Sequence, residues 1–149
     1  MTRTLVFAYG SNMHPLRMRA RLPGAVLHGR ARLEGHRLVI NKRGRDGSAK
    51  ANLEADATGV VWGVLWELTA RELEELDPHE GGYERRPLQV HADDGRTLRA
   101  EAYVSDRLTE QPIAFDWYLE YIVAGARAGE LPEDYVAWLE SFPTRPGES

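Results

Sequence analysis

The spacing of hydrophobic and polar positions changes along the chain. Thr4 to Tyr9 (TLVFAY) is β-branched and aromatic and runs into Gly10-Ser11-Asn12, which predicts a strand entering a turn. Leu16 to Leu22 is compatible with a short helix. His36 to Lys42 (HRLVINK) predicts a second strand, and the loop residues Arg43 to Ser48 follow it. The strongest strand signal is Thr58 to Leu68 (TGVVWGVLWEL). Alternation puts Val60, Trp62, Val64, Trp66 and Leu68 on one face. The other face stays small or apolar as far as Glu67, so the strand is expected to be buried on both sides.

Thr69 then precedes Glu72 by three residues, the spacing at which two side chains satisfy the first free amides of a helix. That helix is expected to stop at Pro78. Tyr83 to Ala92 and Thr97 to Ser105 predict two strands joined by a turn at Asp93-Asp94-Gly95. From there the period lengthens. Phe115, Leu119, Ile122 and Ala126 form a helical stripe, and Tyr135, Trp138, Leu139 and Phe142 form another, with Gly129 and Pro132 between them. The aromatic residues of these helices are expected in the core. The pattern describes one α+β domain over residues 1–142 with strands first and helices last, and a flexible tail over 143–149. No internal repeat or linker interrupts it.

Length changes this picture little, since 149 residues suit one domain with a core of its own. The chain has no cysteine, which removes disulfides and thiol nucleophiles and suits a reducing cytoplasm. No positive-then-apolar leader precedes the first strand, and the longest apolar stretch, Val60 to Trp66, is too short to span a bilayer. A cytoplasmic protein without a membrane partner is expected. The net charge of −4 argues against nucleic-acid binding. Its distribution is uneven: residues 1–50 carry eleven Lys or Arg against Glu34 and Asp46 alone. Either the two halves neutralise each other on folding, or some of these cations line a site for a small anion.

Two segments carry candidate chemistry. Tyr9-Gly10-Ser11-Asn12-Met13 follows a buried strand, and successive amides of such a turn can form an anion-binding nest. An ordinary strand-ending turn reads the same way. Ser11 lacks the second glycine of a nucleophile elbow. In Asp77-Pro78-His79-Glu80-Gly81-Gly82-Tyr83, Glu80 stands in a Pro- and Gly-bounded turn between a helix and a core strand. A carboxylate held there and partly desolvated becomes a stronger base; an acidic loop residue is the plainer reading. The five histidines show no metal-binding spacing, and neither a P-loop nor a dinucleotide fingerprint is present, so no metal or cofactor is expected.

Taken together, FAYGSNM, AKANLE, GVVWGVLWELT, LDPHEGGY and YLEYIVAGARAGELPEDYVAWL make the chain similar to the γ-glutamylcyclotransferase-like (AIG2-like) family over nearly its whole length. The resemblance implies a small closed mixed β-barrel with peripheral helices, two of them C-terminal, and a cavity where the first strand ends. It implies that Tyr9, Gly10, Ser11 and Asn12 hold the γ-glutamyl α-carboxylate and nearby oxygens. Glu80 matches the glutamate of the family's EG motif, the proton acceptor. Tyr83 and Tyr118 match substrate-facing tyrosines, although only Gly82 separates Glu80-Gly81 from Tyr83, a shorter connection than in many relatives.

The implied reaction closes a γ-glutamyl amine or peptide into 5-oxoproline and releases the amine, a cofactor-independent transferase or lyase chemistry related to glutathione metabolism. Alternatives are removal of a γ-glutamyl group from a biosynthetic intermediate, or a non-catalytic γ-glutamyl or small-anion binding domain. The leaving amine is open, since glutathione, γ-glutamyl amino acids, γ-glutamyl-ε-lysine, γ-glutamyl amines and a pathway intermediate all offer the same reactive half. The expected partner is a small γ-glutamyl molecule, and the expected state is a monomer, with a homodimer as the alternative.

Overall fold

The computed structural model describes residues 3–148. Five strands build a closed barrel: β1 (Arg3–Ala8), β2 (Val26–Arg43), β3 (Ala49–Thr69), β4 (Glu84–Ala92) and β5 (Thr97–Val104), in the spatial order β1-β3-β2-β4-β5. The β1–β3, β3–β2, β2–β4 and β4–β5 pairs are antiparallel. A parallel contact at Val6 and Glu101 closes β5 onto β1. Around the barrel lie α1 (Pro15–Arg21), α2 (Ala70–Leu76), α3 (Asp116–Ala128) and α4 (Glu133–Glu140). None of the described helices is long and apolar enough to cross a membrane. The α+β barrel with two C-terminal helices is therefore the architecture expected.

The barrel depends on two strands longer than the sequence pattern suggested. β2 begins at Val26 rather than His36, and β3 begins at Ala49 rather than Thr58. In β2 the apolar Ala31 and Leu33 alternate with Arg30, Arg32 and Glu34, but Gly29 and Gly35 interrupt the run. Register shifts beside these glycines keep the ladder intact, bend the ribbon and help it close. One of these shifts lies opposite Val60, whose side chain is 42% exposed instead of facing the core. Val61, Leu65, Trp66 and Leu68 of the same strand are fully buried, so its second half is covered on both faces as expected.

Thr69 and Glu72 cap α2 reciprocally: the Thr69 hydroxyl accepts from the Glu72 amide, and the Glu72 carboxylate accepts from the Thr69 amide. The helix stops before Pro78 as expected, α2 ending at Leu76 with Asp77 as its C-cap. After Leu76 the chain tightens into a 3-10 turn over Asp77–Glu80, in whose first turn a proline costs no hydrogen bond. α3 buries Tyr118, Leu119, Ile122, Val123, Gly125 and Ala126 along one stripe. Its backbone comes very close to the segment after β1, since a Cβ on Gly125 would stand 2.6 Å from the His14 amide nitrogen.

Two expectations for the C-terminal region are corrected. Trp138 is 42% exposed, lying between Tyr135 and Phe142 with ring centroids 5.4 and 4.9 Å away, while Val136 and Leu139 supply the buried face of α4. The tail, expected to be flexible from Pro143, carries strand β7 (Thr144–Arg145), which pairs in parallel with β6 (Ala114–Phe115). Thr144 donates its hydroxyl to Asp116, and Arg145 donates to the Gly47 carbonyl at 3.1 Å. These contacts join residues 28 and 98 positions apart, so the tail's own composition does not reveal them.

Candidate active site

The sequence places a strand, a turn and a helix end at one mouth of the barrel. β1 ends buried through Val6, Phe7 and Ala8, and the chain then turns through a 3-10 segment, Ser11–Met13, that delivers α1. The first amides of a helical turn have no acceptor within it, so this segment offers peptide hydrogens to a ligand. Across the mouth, the Asp77–Glu80 turn carries Glu80 to the same point. Gly82, at φ +85°, then reverses the chain into β4, in a conformation costly to residues with a Cβ.

Tyr9, Gly10, Ser11, Asn12, Glu80, Tyr83 and Tyr118, the residues singled out from the sequence, all line one cavity of about 50 Å³. Tyr9, Tyr83 and Tyr118 are held by backbone groups. Tyr9 donates its hydroxyl to the Tyr103 carbonyl. Tyr83 donates to the Ala51 carbonyl at 2.6 Å, and Tyr118 accepts from the Ala51 amide at 2.9 Å. Both polar groups of Ala51, on β3, are thus fixed by tyrosines from β4's leading turn and from α3. Burial pushes the Tyr118 phenol up to about 12 and raises those of Tyr9 and Tyr83 well above the ordinary phenol value, so all three stay neutral.

Glu80 is the titratable centre. Its side chain is 12% exposed. Asn12 Nδ2 donates to Glu80 Oε1, while Arg21 Nη1 lies 3.5 Å from the same oxygen and donates to Asn12 Oδ1 at 2.9 Å. Desolvation raises the Glu80 pKa; the Arg21 charge, the Asn12 hydrogen bond and the charges of Arg17 and Lys42 oppose it without reversing it. The result is a carboxylate poised upward and fixed in position. Asn12 accordingly differs from the sequence expectation. Its side-chain amide is committed to Glu80 and Arg21, and its carbonyl accepts from Trp66 Nε1 at 3.0 Å.

Sequence reasoning missed Arg21, Tyr103, Asp77 and Arg85. Tyr103 donates to Asp77 Oδ1 at 2.6 Å, and Arg85 Nε lies 2.9 Å from that oxygen, so the turn bearing Glu80 is pinned at its first residue. Nothing in the local sequence of β4 or β5 marks these partners. For Arg21 a signal existed in the cationic surplus of the first fifty residues. No group of three or more His, Cys, Asp or Glu side chains that would hold a metal ion occurs among the described residues.

Comparison with known proteins agrees with this geometry. Residues 60–139, which include Glu80, Tyr83 and Tyr118, match the model of the AIG2-like family. The gamma-glutamylcyclotransferases of Bos taurus and Homo sapiens are 30% and 29% identical over 147 residues, covering 93% of this chain and 78% of each relative. A solved gamma-glutamyl cyclotransferase superposes with a TM-score of 0.90 at 25% identity, over 99% of this chain and 91% of that one.

Proposed function

The chain belongs to the AIG2-like family, and on that premise we propose that it is a γ-glutamylcyclotransferase in which Glu80 is the proton shuttle. The substrate contains both reactants, an α-amine and a γ-carbonyl, so attack closes a five-membered lactam. Holding that near-attack conformer can supply about 7–11 kcal/mol of the barrier. The remaining difficulty is the proton. An α-amine has a pKa of about 7.7–8.0 even at a chain terminus, so near neutrality much of it is ammonium and cannot attack.

Glu80 Oε2 is the oxygen left for this work, because Asn12 and Arg21 engage Oε1. The carboxylate takes a proton from the ammonium, the freed nitrogen bonds to the γ-carbon, and that proton goes to the departing nitrogen as the amide C–N bond breaks; the second proton, shed as the attacking nitrogen becomes the lactam N–H, passes through Glu80 to the released amine, which leaves as its ammonium. The products are 5-oxoproline and a free amine. Peptide hydrogens of the Gly10-Ser11-Asn12 turn are suited to the α-carboxylate and the developing oxyanion; losing one such donor typically costs about 2.7–4 kcal/mol. The neutral phenols of Tyr83 and Tyr118 wall the cavity beside Glu80.

The observation carrying this reading is a buried carboxylate, raised in pKa and braced by Asn12 and Arg21, that lines one cavity together with the Gly10-Ser11-Asn12 turn. The proposal includes a cytoplasmic monomer acting on a small γ-glutamyl compound, without cofactor and without nucleic-acid or membrane partners. Incubating the protein with γ-glutamyl peptides and amides, with 5-oxoproline followed by mass spectrometry, tests it. Cyclised product from at least one of them is expected; release of free glutamate instead would indicate hydrolysis.

A further inference from the structure

Outside Glu80 the cavity opens into a larger depression of about 260 Å³, which shares Ser11, Glu80, Tyr83 and Tyr118 with the inner chamber. Its wall is strongly basic, with Arg17, Arg21, Lys42, Arg45 and Lys50, all from the first fifty residues. Two carboxylates face them, Glu80 and Asp46. Arg21 is paired with Glu80, and Lys50 Nζ lies 3.1 Å from Asp46. Among the described residues Arg17, Lys42 and Arg45 have no ion-pair partner.

The vestibule cations other than Arg21 fall into two groups. Lys42 and Arg45 lie beside the Gly81-Gly82 turn: Lys42 Nζ donates to the Gly81 carbonyl at 2.8 Å, and a Cβ on Gly81 would stand 2.8 Å from an Arg45 guanidinium nitrogen. Lys42 is 6% exposed, which is rare for an ammonium without a carboxylate. Arg17 and Lys50 gather over Trp117, 6.0 and 4.7 Å from its ring centroid, and Arg17 Nε is buried without a hydrogen-bond partner. Like charges gathered in a concave, partly dry site focus a positive field and repel one another until an anion enters.

We propose that this vestibule is the leaving-group subsite, and that it selects γ-glutamyl substrates whose departing amine carries two acidic groups. The inference rests on the cyclotransferase reading for the placement of the substrate. The γ-glutamyl half fills the inner chamber, so the departing half must occupy the vestibule across Glu80. The acidic group that only a two-acid leaving group carries meets Lys42 and Arg45, and the α-carboxylate meets Arg17 and Lys50. Leaving groups with no acidic function forfeit both contacts, and cationic ones are repelled.

The test compares γ-glutamylglutamate, γ-glutamylalanine and γ-glutamylethylamide. Hydrogen bonds to charged groups are strong enough that each acidic group engaged should raise kcat/KM by about tenfold or more. In Arg45→Gln, at an exposed position where folding is not at risk, the advantage of γ-glutamylglutamate over γ-glutamylalanine should shrink about tenfold, with γ-glutamylethylamide unchanged. Equal turnover of all three by the parent, or an equal loss on all three in the variant, overturns the proposal. Calorimetric binding of the same compounds separates this result from the reaction itself. Absence of 5-oxoproline with tighter binding of γ-glutamylglutamate defeats the cyclotransferase reading and supports the subsite, whereas equal binding defeats the subsite.

Discussion

Arg21 and Glu80 meet through Asn12: Arg21 donates to the Asn12 side-chain Oδ1, Asn12 Nδ2 donates to Glu80, and the guanidinium itself stands 3.5 Å from the carboxylate. A residue on the first helix thereby aims and tunes a residue on a turn 59 positions later. The arrangement is only partly solvated, so its electrostatics survive screening better than a surface pair would.

The first prediction concerns that charge. Arg21 holds the Glu80 pKa down against burial, so Arg21→Met should raise it further. Glu80 would then stay protonated over a wider acid range, and the acidic limb of the kcat/KM profile should move to higher pH. A pH–rate profile checks this. An unmoved limb would show that Arg21 does not act on the base.

The second concerns stability. The Glu80 pKa is raised in the folded state, so the group's contribution is fully present below the ordinary carboxylate range and is lost as pH rises through the folded value. Glu80→Gln mimics the protonated form at every pH. Its Tm should exceed the parent's near pH 7.5, and the difference should vanish towards pH 4. Thermal melts across that range provide the measurement.

The third concerns Ala51. In Tyr118→Phe the buried Ala51 amide loses its acceptor, and an unsatisfied buried group costs about 1–3 kcal/mol. Chemical denaturation should report a loss of that order. Because the same ring walls the cavity, kcat/KM should fall as well.

The fourth concerns Gly125. A methyl group there would press on the backbone of Met13 and His14, and packing overfill of this kind typically costs about 1–3 kcal/mol. Gly125→Ala should be destabilised accordingly, and substrate affinity should drop because the displaced segment carries the first turn.

The barrel's central strand, the Thr69–Glu72 cap and the two late helices were legible because each is a local pattern. Their residues announce burial or capping within a few positions. The early parts of β2 and β3 were not, since Gly29 and Gly35 break the alternation that bulges restore only in three dimensions. At the site, the glycine-bounded turns and Glu80 stood out by their setting. Arg21, Tyr103 and Arg85 did not, because their roles depend on partners brought together by barrel closure. Only for Arg21 did the cationic bias of the first fifty residues give a hint, and the fold resolves that bias both ways. Arg30 pairs with Asp93 in the acidic half at 2.7 Å, while other cations gather at the vestibule.

The central claim is that one carboxylate moves the proton of cyclisation. The most direct test is single-turnover release of 5-oxoproline from a γ-glutamyl peptide by the parent and by Glu80→Gln, with folding verified by circular dichroism. The account predicts a folded variant that still binds the peptide but has lost cyclisation by at least about 10²-fold, within the range general acid–base catalysis contributes. Parental rates from the folded variant would contradict it.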